Sequence, residues 1–167
     1  MELKRVVVTG LGAVTPLGLN VDETWEALLN GVSGAGPITH FDASQFKTQF
    51  ACEVKNFDPT LYLDKKEVRK FDRYAQFAVA AAKEAVGDSA LDLEKVDKNR
   101  VGVIFAAGIG GIRTFEEEVG GYFTNIERGP KFNPFFIPKM IADIAAGHIS
   151  MIYGFHGPNY ATVSACA

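Results

Sequence analysis

The 167-residue sequence is poor in the side chains that most often bind metals or form disulfides, with only two cysteines and three histidines. Cys52 and Cys166 lie far apart and lack the spacing of a metal or redox motif, which favours a reduced, intracellular protein. No signal peptide is expected either, because the charged start leads directly into an apolar run. We therefore expect a cytoplasmic protein that binds no metal.

Excess positive charge and long uninterrupted apolar runs are missing as well. The net charge of −3 implies no general affinity for nucleic acid or for an anionic membrane. The longest apolar segment, residues 140–155, is interrupted by Asp143, His148 and Ser150, so no membrane-spanning helix is expected. The length suits one domain with a sizeable core, and the sequence contains no internal repeat.

Apolar runs alternate with helical patterns along the chain. Strands are predicted at Arg5–Thr9, Phe50–Val54, Val101–Phe105 and Tyr160–Val163, the first and third of them buried. Helices are predicted at Val21–Leu29, Asp72–Val86, Thr114–Val119 and Ile137–Met151. This alternation predicts an α/β fold in which a mainly parallel sheet is flanked by helices.

Two glycine-rich loops follow predicted strands. Gly10-Leu-Gly12 suggests a dinucleotide fingerprint, but Thr15 occupies the third glycine position, and a structural turn is the favoured interpretation. The loop Gly108–Gly111 lacks the Lys-Ser/Thr pair of a P-loop. It is either a tight connection or a backbone that passes close to a ligand, with Ile109 as the only side chain in reach.

A local excess of positive charge contrasts with the acidic balance of the whole chain. The five cations of this segment are Lys65, Lys66, Arg69, Lys70 and Arg73. Charge pattern alone favours a solvated helix face and a binding site for an acidic partner about equally.

The histidines and cysteines offer few candidates for catalysis. None of His40, His148 and His156 is assigned as a catalytic partner, and His148 is expected to be a satisfied structural histidine within a helix. Cys52 is expected to be a small core residue. Cys166 follows a turn and a short strand among small residues, and its context fits inert packing and an exposed nucleophile equally well.

Several motifs follow one another in order along the whole chain: Val6–Gly12 with Thr15–Gly18, Trp25–Leu29, Gly108–Gly111, Asn133–Phe136, Ala146–His148 and Gly157–Ala167. In this order they resemble the β-ketoacyl-[acyl-carrier-protein] synthase family, and most closely its type II members of bacterial fatty acid synthesis. The resemblance implies a thiolase-like layered fold built from two similar halves. Residues 1–167 match the N-terminal half and end just after the family's nucleophilic cysteine.

The resemblance assigns chemistry to single residues. Cys166 resembles the nucleophile that accepts the acyl group from acyl carrier protein, before decarboxylative condensation with malonyl-carrier protein extends the chain by two carbons. Ile109 resembles the residue that gates the deep end of the acyl pocket, and Phe136 resembles a pocket residue contributed across the dimer interface. The two histidines and the lysine that complete the family's active site belong to the second half, so residues 1–167 alone are expected to be inactive.

The resemblance also implies partners, and it requires neither a cofactor nor a metal. Lys66, Arg69 and Lys70 match positions that contact the acidic carrier protein, which favours the partner-binding interpretation of the charged segment. Lys131 stands where the family has a basic pair. The strand Tyr160–Val163 matches the family's dimer strand, which implies a homodimer.

Other interpretations remain at this point. The chain is also compatible with a non-catalytic synthase-like subunit, an inactive isolated half or the ketosynthase of a polyketide pathway. A nucleotide-binding oxidoreductase is disfavoured by the broken glycine fingerprint.

Overall fold

The computed structural model describes residues 3–164, which form two compact units. Unit 1 comprises the residues up to Asp58 together with Ala80–Ala90. Unit 2 comprises Pro59–Val79 and the chain from Leu91 onward.

Unit 1 contains helix α1, one small sheet and the last part of helix α3 (Arg73–Asp88). Helix α1 spans Val21–Leu29, and strands β1 (Gly36–Pro37) and β2 (Phe50–Ala51) pair in antiparallel fashion. The predicted bounds of α1 are confirmed. They follow from local caps, because the Asn20 side chain accepts from the Glu23 N–H at 2.8 Å, while the Glu23 carboxylate accepts from the Leu19 N–H at 2.7 Å.

The predicted strand Arg5–Thr9 does not form. No strand among residues 3–164 pairs with this segment, and its side chains are exposed, with Val6 at 90%. An extended segment needs a hydrogen-bonded neighbour to become a strand, and its sequence alone cannot supply one. Trp25, on the apolar face of α1, is also 60% exposed.

The loop Gly10–Gly12 packs directly on helix α3, which spans Arg73–Asp88. A Cβ atom at Gly10 would overlap the Ala85 carbonyl oxygen, and one at Gly12 would overlap the Ala81 carbonyl oxygen. Both glycines are therefore required by close backbone approach, and the interpretation as a structural turn is supported.

The backbone amides of the same loop already have anionic partners. The Leu11 N–H donates to Asp88 at 2.8 Å, and the Ala13 N–H donates to Glu84 at 2.9 Å. A phosphate at this loop would compete for these amides and would be repelled by both carboxylates. These contacts argue against a dinucleotide site here.

Unit 2 holds the remaining elements. They are α2 (Lys65–Val68), the first part of α3, β3 (Val103–Ile104), α4 (Ile112–Thr124), α5 (Phe136–Met140), α6 (Ile144–Tyr153) and β4 (Asn159–Tyr160). Strands β3 and β4 pair in parallel, as predicted, but they are shorter than predicted and β3 is not buried. Small side chains form the core, with Ala75 and Ala78 on α3 and Ala145 and Ala146 on α6 almost fully buried.

The helix predicted over Ile137–Met151 is broken into α5 and α6. Ile141 is extended, with ψ at 139°. The Met140 carbonyl accepts from the Gly111 N–H at 2.9 Å, and the Ile141 carbonyl accepts from the Tyr74 hydroxyl at 2.5 Å. Because partners distant in sequence use these carbonyls, an uninterrupted helix is not formed.

Candidate functional site

Of the two cysteines, the structure describes only Cys52. Cys166 follows β4 in the sequence and lies outside the described residues. Cys52 is exposed, so the expectation that it is a core residue is wrong. It comes directly after β2 in a sheet of only two strands, and no further layer of the described chain covers it.

Ile109 lies in a turn whose backbone is held on the end of α5. Gly110 has a φ of +79°, and a Cβ atom there would overlap the Met140 carbonyl oxygen. The hydrogen bond from Gly111 to Met140 fixes the next residue. The Ile109 side chain is 69% exposed, so the loop presents a single apolar side chain on a rigid support.

Phe136 is the first residue of α5 and belongs to an aromatic cluster. Its ring stacks on Phe132 at 5.7 Å between centroids and lies 6.3 Å from Phe115. Phe132 also stacks on Tyr122, near the end of α4, with 5.6 Å between the ring centroids. The α5 helix therefore carries Phe136 at one end and supports the Ile109 loop at the other, roughly 6 Å apart along its axis.

The basic segment consists of Lys66, Arg69 and Lys70, on α2 and the turn after it. Asp64 caps α2 and accepts from the Lys66 and Glu67 N–H groups, both at 2.8 Å. The bond from the Glu67 N–H is the main cause that lowers the Asp64 pKa. The three cations are therefore displayed beside a well-formed cap.

The cations differ in how free they are to bind a partner. Lys66 and Arg69 are exposed and form no ion pair with any residue of the described chain. Lys70 pairs with Glu67 at 2.7 Å and lies 5.9 Å from the centre of the Phe135 ring. Lys66 and Arg69 are therefore the most available charges of this segment.

Lys131 has a different setting. It is exposed and lines an open cleft together with Glu117, Glu118 and Arg128. Glu118 also accepts from the Asn133 N–H at 2.8 Å. Two carboxylates and a second cation therefore share this cleft with Lys131.

Asp72 was missed by the sequence analysis as a feature of the site. It is only 8% exposed and accepts from the Tyr74 N–H at 3.1 Å, the Thr114 N–H at 3.3 Å and the Thr114 hydroxyl at 2.5 Å. Asp72 is the first residue of the predicted helix Asp72–Val86, a place where aspartate is a typical cap, although no cap was predicted there. Its bond to Thr114, 42 residues away, was not visible in the sequence.

Tyr74 completes this junction. Burial, followed by the negative charges of Asp72 and Asp143, raises the pKa of Tyr74 to about 12. The hydroxyl therefore stays protonated at neutral pH and donates to the Ile141 carbonyl between α5 and α6.

His148 packs as a structural residue but is not satisfied as expected. Its ring stacks on Phe71 with centroids 3.6 Å apart, and its buried Nε2 has no hydrogen-bond partner in the described chain. Burial lowers the His148 pKa, the Glu67 charge opposes this, and the Lys70 charge adds to it. The other two histidines are exposed. The Nε2 of His40 lies 3.9 Å from the Glu53 carboxylate, and the backbone N–H of His156 donates to a backbone carbonyl.

We expect His148→Phe to keep the ring stack and to remove the acid sensitivity that this histidine causes. Because the folded-state pKa is lowered, the unfolded chain takes up a proton first, and stability falls as the pH drops below 6.5. Urea unfolding at about pH 7 and about pH 5 should show a smaller loss of stability in the variant. The same pH dependence in both proteins would refute this assignment.

Residues 3–164 contain no group of three metal-ligating side chains. No helix in this part has both the length and the apolar character needed to cross a bilayer.

The chain resembles known proteins over its whole length. Residues 3–167 match the family model "Beta-ketoacyl synthase, N-terminal domain". The 3-oxoacyl-[acyl-carrier-protein] synthase 2 of Coxiella burnetii (strain RSA 493 / Nine Mile phase I) is 48% identical over 166 residues, which are 99% of this chain and 40% of that protein.

Two solved structures show the same fold. The ishigamide ketosynthase/chain length factor has a TM-score of 0.85 at 26% identity and covers 96% of this chain and 40% of its own. A type II polyketide ketosynthase in complex with its acyl-carrier protein, AntDE:AntF, has a TM-score of 0.73 at 26% identity, covering 92% of this chain and 40% of its own.

These likenesses define the class, an α/β fold of the thiolase-like ketosynthase kind, as predicted. The chain belongs to the β-ketoacyl synthase family and matches its N-terminal domain. It spans 40% of the length of the curated relative described above.

Proposed function

We propose that the chain is the N-terminal half of a 3-oxoacyl-[acyl-carrier-protein] synthase of fatty acid biosynthesis. The observation that carries this proposal is the 48% identity to a synthase 2 over nearly the whole chain. A polyketide ketosynthase is the second candidate, because one of the two similar solved structures is a type II polyketide ketosynthase. The 26% identity to that structure makes this candidate the weaker of the two.

The proposed reaction has two steps, and both use the Cys166 thiolate. The thiolate attacks the acyl thioester of the carrier protein, the carrier thiol leaves, and an acyl-enzyme forms. Malonyl-carrier protein then loses CO2, and its carbanion attacks the acyl-enzyme carbonyl and releases the cysteine. The Cys166 N–H is proposed as one donor to the oxyanion of both steps.

The acyl chain is proposed to extend toward Ile109 at the deep end of the pocket, with Phe136 contributed to a pocket across the dimer interface. Support comes from α5, which carries Phe136 and anchors the loop of Ile109. An exposed apolar side chain on a fixed backbone suits a gate at the end of an apolar pocket.

The carrier protein is proposed to bind at Lys66, Arg69 and Lys70, with a smaller contribution from Lys131. The available charges of Lys66 and Arg69 suit an acidic partner. One of the similar solved structures is itself a complex of a ketosynthase with an acyl-carrier protein.

We also propose a homodimer in the cytoplasm that works without metal or cofactor. The exposed Tyr160 and Val163, on and after β4, would lie at the dimer interface. The scarcity of cysteine supports a reducing compartment.

The experiment that tests this function uses a protein that includes this chain and is as long as the curated relatives. It is supplied with acyl- and malonyl-carrier protein, and mass spectrometry follows the carrier-bound products. We expect a 3-oxoacyl product two carbons longer than the substrate, together with CO2. Hydrolysis of the acyl-carrier protein without elongation would refute the proposal.

A further inference from the structure

We propose that Asp72 is a positioning residue that joins the carrier-docking segment to the loop of Ile109 and thereby sets acyl-chain discrimination. This inference rests on the function proposed above. The residue belongs to neither group of predicted contacts, but its position in the chain and its hydrogen bonds connect the two.

Asp72 caps two helices with one buried carboxylate. Its Oδ1 accepts from the N–H of Tyr74 in the first turn of α3, and its Oδ2 accepts from the N–H and hydroxyl of Thr114 in the first turn of α4. Both helix N-termini carry partial positive charge toward this side chain. A buried carboxylate is retained at such a place only when its hydrogen bonds are made, and here both oxygens are used.

The Ile109 loop is held against this carboxylate. A Cβ atom at Gly111 would lie 3.0 Å from Asp72 Oδ2 and would overlap the Lys139 carbonyl oxygen, so the backbone passes as closely as glycine allows. Gly111 also bonds to Met140. Gly111, two residues after Ile109, is therefore held between Asp72 on one side and the end of α5 on the other.

The other side of Asp72 leads to the basic segment. Phe71 is almost fully buried and stacks on His148, and Lys70 lies over the Phe135 ring just before α5. The backbone between Lys70 and Asp72 therefore has little freedom. Binding of the carrier protein at the basic segment and the position of the Ile109 loop are therefore coupled through this short, packed stretch.

Two substitutions loosen this connection without changing the size of the side chain. The groups that face the Asp72 carboxylate are all donors, so the amide N–H group of Asp72→Asn finds no acceptor there. Thr114→Val removes the hydroxyl donor. Thr114→Ser keeps that donor and is the matched control. None of these residues is proposed to contact the reacting atoms.

The first measurement is amide hydrogen exchange of the full-length protein. We expect faster exchange in residues 108–114 in Asp72→Asn and Thr114→Val, near wild-type exchange in Thr114→Ser, and no change in α1 of any variant. Unchanged exchange of the loop in both loosened variants would overturn the proposal, whatever the activity of the enzyme.

The second measurement compares kcat/KM for a short and a long acyl-carrier protein. We expect the ratio of the two values to change by about tenfold in Thr114→Val and Asp72→Asn and to be retained in Thr114→Ser. An equal loss on both substrates would show a merely structural role and overturn the proposal. A wild-type protein that protects the loop but makes no elongated product would instead count against the proposed function.

Discussion

Replacing Cys166 with serine should lower condensation by at least about a thousandfold, because the thiolate is the nucleophile on which both proposed steps depend. Serine is close in size but remains protonated at neutral pH, so it cannot replace the thiolate without a strong base. The measurement is the rate of product formation from acyl- and malonyl-carrier protein in the full-length protein.

Cys52 provides the matched control, because the structure shows it to be exposed. Cys52→Ser should retain the wild-type rate. An electrophile supplied in limiting amount should label Cys166 much faster than Cys52 in peptide maps, and access alone cannot explain such a preference. Equal labelling, or preference for Cys52, would contradict the assignment of the nucleophile.

The second large effect is expected from charge reversal at the basic segment. Lys66→Glu/Arg69→Glu should lower kcat/KM for carrier-bound substrates by about a hundredfold and leave turnover of a small acyl thioester nearly unchanged. The two cations form no ion pair within the described chain, so the change acts on the partner and leaves internal pairs intact. The salt dependence of carrier binding should also become weaker.

A charge-matched control separates docking from the general field of the protein. Lys47→Glu/Lys55→Glu changes the net charge by the same amount at exposed positions elsewhere in the chain, and neither lysine forms an ion pair within the described chain. It should have a much smaller effect on the carrier-bound substrate. Equal losses on both kinds of substrate, or equal effects of both double variants, would refute the docking surface.

Smaller effects are expected from single substitutions at the other two predicted contacts. Lys70 is already paired with Glu67, and Lys131 lies near Glu117 and Glu118. We therefore expect nearby carboxylates to weaken the attraction of each lysine for an acidic partner. The predicted contact set should consequently be uneven, with Lys66 and Arg69 dominant.

Features set by local sequence could be predicted well. The bounds of α1 follow from Asn20 and Glu23 at its start and Asn30 at its end, and all three lie within or beside the helix. Helical spacing also predicts α3 to within two residues at its C-terminal end, and Ala75 and Ala78 of that helix are buried. The family motifs named the candidate residues because each motif is a short contiguous run.

Features set by distant partners could not be predicted. The segment Arg5–Thr9 has the composition of a strand, but no strand among the described residues pairs with it. The break between α5 and α6 depends on Gly111 and Tyr74, which lie far upstream. The double role of Asp72 depends in the same way on Thr114. In each case the deciding hydrogen-bond partner is invisible to a pattern that spans one element.

The exposure of Trp25 has a practical consequence. It is the only tryptophan of the chain, and it lies on the uncovered apolar face of α1. Its fluorescence therefore reports on one surface alone, without interference from a second indole. Emission typical of an indole in water would mark the face as open, and a shift to shorter wavelength would register, in real time, any surface that closes over it.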